Sequence, residues 1–187
     1  HRDSVFVEGV EAFKRFIVVS ERSGGLRRLR ITDAGSGDSH YVTFPDSAYG
    51  VFTSTNAEFD TQSFRFVYSS LVTPNSTYDY DMATKERKLL KQREVLGGYD
   101  ASRYTSERRY ATASDGTKVP ISLVYKKGFV ADGKAPALLT AYGSYGASND
   151  AGTWPETISS VIARAKTASD RASRRETSRP RIRKSPG

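Results

Sequence analysis

The chain has 187 residues, 37% of them hydrophobic, which suffices for a modest core in one domain or in parts of two. It has no cysteine and only two histidines, His1 and His40, which excludes disulfides, thiolate catalysis and Cys-based zinc sites and leaves little scope for imidazole chemistry. The net charge of +8 raises nucleic acid as a partner, but of 29 basic and 21 acidic side chains nine and two fall in residues 159–187, leaving a balanced 20 and 19 for residues 1–158. Apolar runs are far shorter than the roughly 20 residues of a membrane helix, and His1-Arg2-Asp3 opens no signal peptide, so a soluble protein without membrane partners is expected.

In chain order, Phe16-Ile-Val-Val-Ser20 and Leu29-Arg-Ile-Thr32 flank Ser23-Gly24-Gly25, which predicts a hairpin. Phe64-Arg-Phe-Val-Tyr-Ser-Ser70 and Thr77-Tyr-Asp-Tyr-Asp-Met82 alternate aromatic and polar residues with period two, as half-buried antiparallel strands do. A second hairpin is expected across residues 72–76 and a third across 83–85. The strand groups near residues 5–43 and 49–91 each match the about 40 to 50 residues of a four-stranded propeller blade, which favours blades over a sandwich or barrel. Two blades do not close a propeller, so unpaired sheet edges, exposed apolar surface, aggregation and poorly cooperative unfolding are expected of an incomplete chain.

The polar stretch Asp100-Ala-Ser-Arg-Tyr-Thr-Ser-Glu107 suits a linker. Beyond it, Arg109-Tyr-Ala-Thr-Ala113 and residues 119–125 flank Ser114-Asp115-Gly116, a tight-turn signature, and Ala137-Leu-Leu-Thr-Ala141 predicts a more buried strand entering a Gly-rich loop. From Ser159 the chain turns Ser/Arg/Pro-rich and lacks the apolar surface to offset ordering entropy, so residues 159–187 are expected to be disordered.

Several linked phrases resemble the prolyl oligopeptidase family of serine peptidases, and most of all its oligopeptidase B branch. They are Glu58-Phe-Asp60, Arg65-Phe-Val-Tyr-Ser-Ser-Leu-Val-Thr-Pro74, Tyr78-Asp-Tyr-Asp-Met82, Glu86-Arg-Lys-Leu-Leu-Lys91, Glu94-Val-Leu-Gly-Gly-Tyr-Asp100, Asp115-Gly-Thr-Lys-Val-Pro-Ile-Ser-Leu-Val-Tyr125 and Tyr142-Gly-Ser-Tyr-Gly146. The resemblance runs from His1 to about Asp150. It implies a seven-bladed β-propeller over an α/β-hydrolase domain, with substrates limited to short peptides cut after Lys or Arg. On that pattern the chain is mainly β, residues 1–98 being the last two blades and residues 99–158 a linker and the first strands of the peptidase domain. A cytoplasmic location is implied too, and no cofactor or metal.

By the same resemblance Tyr142 is the oxyanion-hole donor, its hydroxyl aimed at charge that appears only in the transition state. Thr140-Ala141 stands where the family has Tyr-Gly. An α/β-hydrolase also needs Gly-x-Ser-x-Gly, then an acid, then a histidine. These 187 residues contain no Gly-x-Ser-x-Gly and no histidine after His40, so none of the triad is present and the chain alone is expected to be inactive.

Other constellations read as surface. Asp79 and Asp81, with Glu58 and Asp60 nearby in sequence, contain metal-ligating carboxylates, but strand alternation puts Asp79 and Asp81 on the solvent face with Tyr78, Tyr80 and Met82 inward. Arg27, Arg28 and Arg30 suit phosphate less than a solvated hairpin face, and His40 suits a blade rim. The basic tail supports an alternative, a non-enzymatic all-β binding module with a nucleic-acid arm, although a frameshifted end accounts better for the fading of the resemblance at Trp154-Pro-Glu-Thr-Ile-Ser159.

Overall fold

A computed structural model describes residues 2–96, 98–142, 145 and 148–152. The disordered or frameshifted segment expected over residues 159–187 lies outside them.

The first four strands, β1 (Phe6–Ala12), β2 (Phe16–Ser23), β3 (Leu26–Asp33) and β4 (Ser39–Tyr41), form one antiparallel sheet in sequence order. The next four, β5 (Tyr49–Thr53), β6 (Ser63–Ser70), β7 (Ser76–Asp81) and β8 (Arg87–Gln92), repeat that order in a second sheet. Two consecutive four-stranded meanders are the blades that the strand spacing predicts.

Turn chemistry explains the register. Gly24 and Gly25 have φ of 56° and 75°, as a two-residue primed turn requires, and they close Ser23 against Leu26. At the end of β7 the Asp81 carboxylate accepts the Ala83 and Thr84 amides at 2.9 and 2.8 Å, while Lys85 takes φ 66° to bring Glu86 back to pair with Asp81. These are the hairpins expected at residues 23–25 and 83–85, and β6–β7 supplies the one expected across 72–76.

Packing follows the period-two pattern. Phe64, Phe66 and Tyr68 of β6 and Tyr80 of β7 are buried, while Arg65 and Asp79, paired across the strands, face out and form a two-pronged ion pair at 2.7 and 2.9 Å. The buried side chains meet Phe13, Phe16, Val18, Leu29, Ile31 and Val42 of the first blade in one continuous core. Its rings interlock, Phe13 edge-on to Phe64 at 6.2 Å and Phe44 stacked on Tyr68 at 4.9 Å. Outside this core, Phe6, Val10 and Leu89 stand exposed on β1 and β8, so apolar surface at the outer strands is present as expected.

A third, two-stranded sheet pairs β9 (Tyr104–Thr112) with β10 (Lys118–Lys126) around the Ser114-Asp115-Gly116 turn, where Gly116 has φ 86°. The strand starts earlier than expected. Residues 104–107, read as linker, pair with residues 123–126, because an unbroken antiparallel register with the more apolar β10 outweighs their own polarity. The polar connection shrinks to Asp100, which caps the single 3-10 turn Ala101–Arg103.

The strand expected at Ala137-Leu-Leu-Thr-Ala141 does not form. Residues 131–140 group apart from residues 1–130 and 141–154, and among the described residues no strand pairs with them. A buried strand depends on neighbours along both edges and cover on both faces, and without them Leu138 and Leu139 are 54% and 85% exposed. Among the described residues no helix is long and apolar enough to cross a membrane.

Candidate functional site

Tyr142 lies beyond the β9–β10 hairpin, half-exposed, and its hydroxyl meets no hydrogen-bond partner among the described residues. A phenol in that state can donate to a developing negative charge, but among the described residues no serine, acid and histidine assemble a nucleophile around it. His40, in β4, instead places Nε2 3.0 Å from the Tyr80 hydroxyl, and burial, with Lys85 close by, holds its imidazole below the ordinary value. It is a satisfied blade residue.

Eight residues after Tyr142, Asp150 returns to the blades. Its two carboxylate oxygens accept from Arg22 Nη1 and Nη2 at 2.6 and 3.1 Å, and Arg27 Nη1 lies 3.9 Å away. Arg22 also donates from Nε to Glu8 at 2.9 Å, and Arg27 donates to the same carboxylate. Two acids and two arginines thus form one neutral, largely buried network, and Asp150 in particular raises the Arg22 guanidinium above its ordinary value. Ala151 is buried, and a side chain on Gly152 would meet Ser69 Oγ at 2.9 Å, so the backbone fits closely against the second blade only as glycine.

A second buried charge sits on the other face of β2. Glu21 is fully buried and accepts hydrogen bonds from Arg2 and Tyr41, with Arg30 Nε at 3.5 Å, while the Arg28 guanidinium lies 3.7 Å over the Tyr41 ring. Arg27 is held likewise, over the Phe52 ring at 4.3 Å. The Arg27-Arg28-Arg30 cluster is therefore engaged by acids and rings of the same unit. Asp79 is committed to Arg65, Asp81 to its turn and Asp60 to Lys14. Among the described residues no three His, Asp or Glu side chains gather as metal ligands.

Neither network was legible as a site. The Arg22–Asp150 pair spans 128 positions, with no local signal. Glu21 gives no local signal either: its cross-strand neighbour Arg28 lies over the Tyr41 ring, and the arginines that reach it, Arg2 and Arg30, come from 19 and 9 positions away. Replacing Glu21 by Gln leaves Arg2 and Arg30 without their acceptor charge, and we expect about 1–3 kcal/mol of destabilisation in denaturant titrations.

Acid should weaken both networks. Burial raises the Glu8 and Glu21 carboxyls, but hydrogen bonds from Arg27 and Arg22 to the first, and from Tyr41 and Arg2 to the second, outweigh it and hold both below the ordinary 4.5. The unfolded chain then takes up protons first as pH falls, so this stabilisation is full above the ordinary carboxyl value and is lost as pH falls below it through the lowered folded-state values. A melting temperature that stays level from pH 5 down to pH 3 would refute the assignment, and Glu21→Gln should shallow the fall.

The profile of the prolyl oligopeptidase N-terminal β-propeller domain matches residues 1–93. A dipeptidyl aminopeptidase BI from Pseudoxanthomonas mexicana is 52% identical over 151 residues, which is 80% of this chain and 21% of that protein. Among solved structures, oligopeptidase B from Trypanosoma brucei in its closed form with covalently bound antipain superposes with a TM-score of 0.74 at 35% identity, over 81% of this chain and 22% of that one. Oligopeptidase B from Leishmania major gives 0.71 at 36% identity, over the same shares. The chain therefore spans about a fifth of the length of these relatives. With its two blades inside the matched propeller and its likeness running on past it, the chain belongs to the prolyl oligopeptidase family of peptidases.

Proposed function

We propose that this chain supplies the closing blades of the propeller lid, residues 1–98, and the opening strands of the peptidase domain, residues 99–158, of a serine peptidase that cuts short peptides after Lys or Arg. Tyr142 is its oxyanion donor, and the 187 residues by themselves do not hydrolyse peptides. The observation that carries this reading is the likeness to oligopeptidase B over 81% of the chain, combined with a sequence that holds Tyr142-Gly-Ser-Tyr-Gly146 but no Gly-x-Ser-x-Gly. Catalysis by this arrangement requires a nucleophile from residues other than these, attacking a carbonyl whose developing oxyanion accepts a hydrogen bond from the Tyr142 hydroxyl.

The purified chain should release no fluorophore above background from an N-blocked Arg-amide. Turnover that vanishes in Tyr142→Phe would overturn the inactivity claim. A second reading, removal of dipeptides from free N-termini, is favoured by the name of the 52% identical relative. A peptidase containing this segment and a triad would cleave N-blocked Arg substrates under the first reading and only unblocked dipeptidyl substrates under the second.

A further inference from the structure

The network around Asp150 bears on Tyr142 although it touches no reacting atom. We propose that Arg22 is a positioning residue: by clamping Asp150 with two parallel hydrogen bonds at 2.6 and 3.1 Å, it fixes the far end of the loop that begins at Tyr142 and so holds the Tyr142 hydroxyl in place. The inference rests on the oxyanion reading of Tyr142.

Three observations carry it. The pair is built as an anchor, because Arg22 and Asp150 side chains are only 15% and 9% exposed, and a bidentate guanidinium–carboxylate contact fixes direction as well as distance. The surroundings are shaped for the returning backbone, because Gly50 lies where a side chain would come within 3.4 Å of Asp150 Cβ, Gly152 closes on Ser69, and Ala151 is buried. The charges are also balanced so that Arg22 cannot be spared. It bridges Glu8 and Asp150, and without it two carboxylates would share Arg27 alone and repel each other, driving residues 148–152 off the blade. Fixing Asp150 only eight residues on shortens the free length of chain over which Tyr142 can wander.

The test uses the full chain with 3-fluorotyrosine placed at position 142, reading its fluorine resonance together with amide exchange over residues 148–152. In Arg22→Met and in Asp150→Asn the exchange of that segment should rise about tenfold or more, and the fluorine signal should shift or broaden. The double variant should do no more than either single one. Amides of β6 and β7 report whether the blades remain folded; Asp150→Asn, outside the sheets, keeps the test readable if Arg22→Met loosens them. Faster exchange at 148–152 with an unchanged fluorine signal in Asp150→Asn would overturn the positioning role, and unchanged exchange would overturn the anchor itself. Because the fluorine signal reports position and not turnover, the proposal can fail while Tyr142 remains the oxyanion donor. Conversely, a harmless Tyr142→Phe in an active peptidase would remove the oxyanion reading without touching the anchor.

Discussion

Replacing Phe66 by alanine is expected to destabilise the paired blades by about 3–5 kcal/mol, measured as lost protection of the β6 and β7 amides against hydrogen exchange. Phe66 is fully buried on β6, an interior strand of its sheet, and its ring lies 5.7 Å from Phe44, 6.0 Å from Phe64, 5.8 Å from Tyr78 and 6.4 Å from Tyr80. Removing it leaves a cavity lined by rings that other neighbours hold, Phe64 against Phe13 and Phe44 against Tyr68, and that cannot easily close in. A loss of that size is a large share of the stability of any small domain, so the variant should be mostly unfolded at modest denaturant. The neighbouring Arg65→Ala should cost under about 1 kcal/mol, since its pair with Asp79 is surface-exposed. Equal costs at both positions would contradict the alternating assignment of β6.

The second large effect is chemical. In a peptidase that contains this segment together with a triad, Tyr142→Phe should lower kcat by about 10²–10³, the loss seen when one oxyanion donor is removed, with little change in KM. The asymmetry follows from the hydroxyl's task. In the proposed role it would meet a carbonyl oxygen weakly in the ground state and strongly once that oxygen carries charge, so its loss would raise the barrier without loosening substrate. A fall in stability matching the fall in rate would mark Tyr142 as a packing residue instead. Its half-exposed ring argues against that outcome.

How much could be read from the residues alone depended on the range of the interaction that decides each element. Phe64-Arg-Phe-Val-Tyr and the Gly24-Gly25 turn carry their outcome locally, through alternation and through φ values that glycine reaches freely, and both blades followed from them. The polarity of residues 104–107 is local and suggests a linker, whereas their pairing with β10 is not local. Ala137-Leu-Leu-Thr-Ala141 has the composition of a buried strand, and composition cannot supply the neighbouring strands that would bury it. The two buried charge networks were invisible for the same reason: Glu21 and Asp150 are ordinary acids until the fold brings arginines to them from 9 and 128 positions away.

The proposed role, propeller lid and oxyanion donor without nucleophile, is tested most directly by a graft. Residues 1–150 of this chain, exchanged for the corresponding stretch of the Pseudoxanthomonas mexicana dipeptidyl aminopeptidase BI, should give a protein that turns over that enzyme's own substrate, and Tyr142→Phe in the graft should lower kcat by about 10²–10³. A folded, active graft in which Tyr142→Phe leaves kcat unchanged would contradict the account.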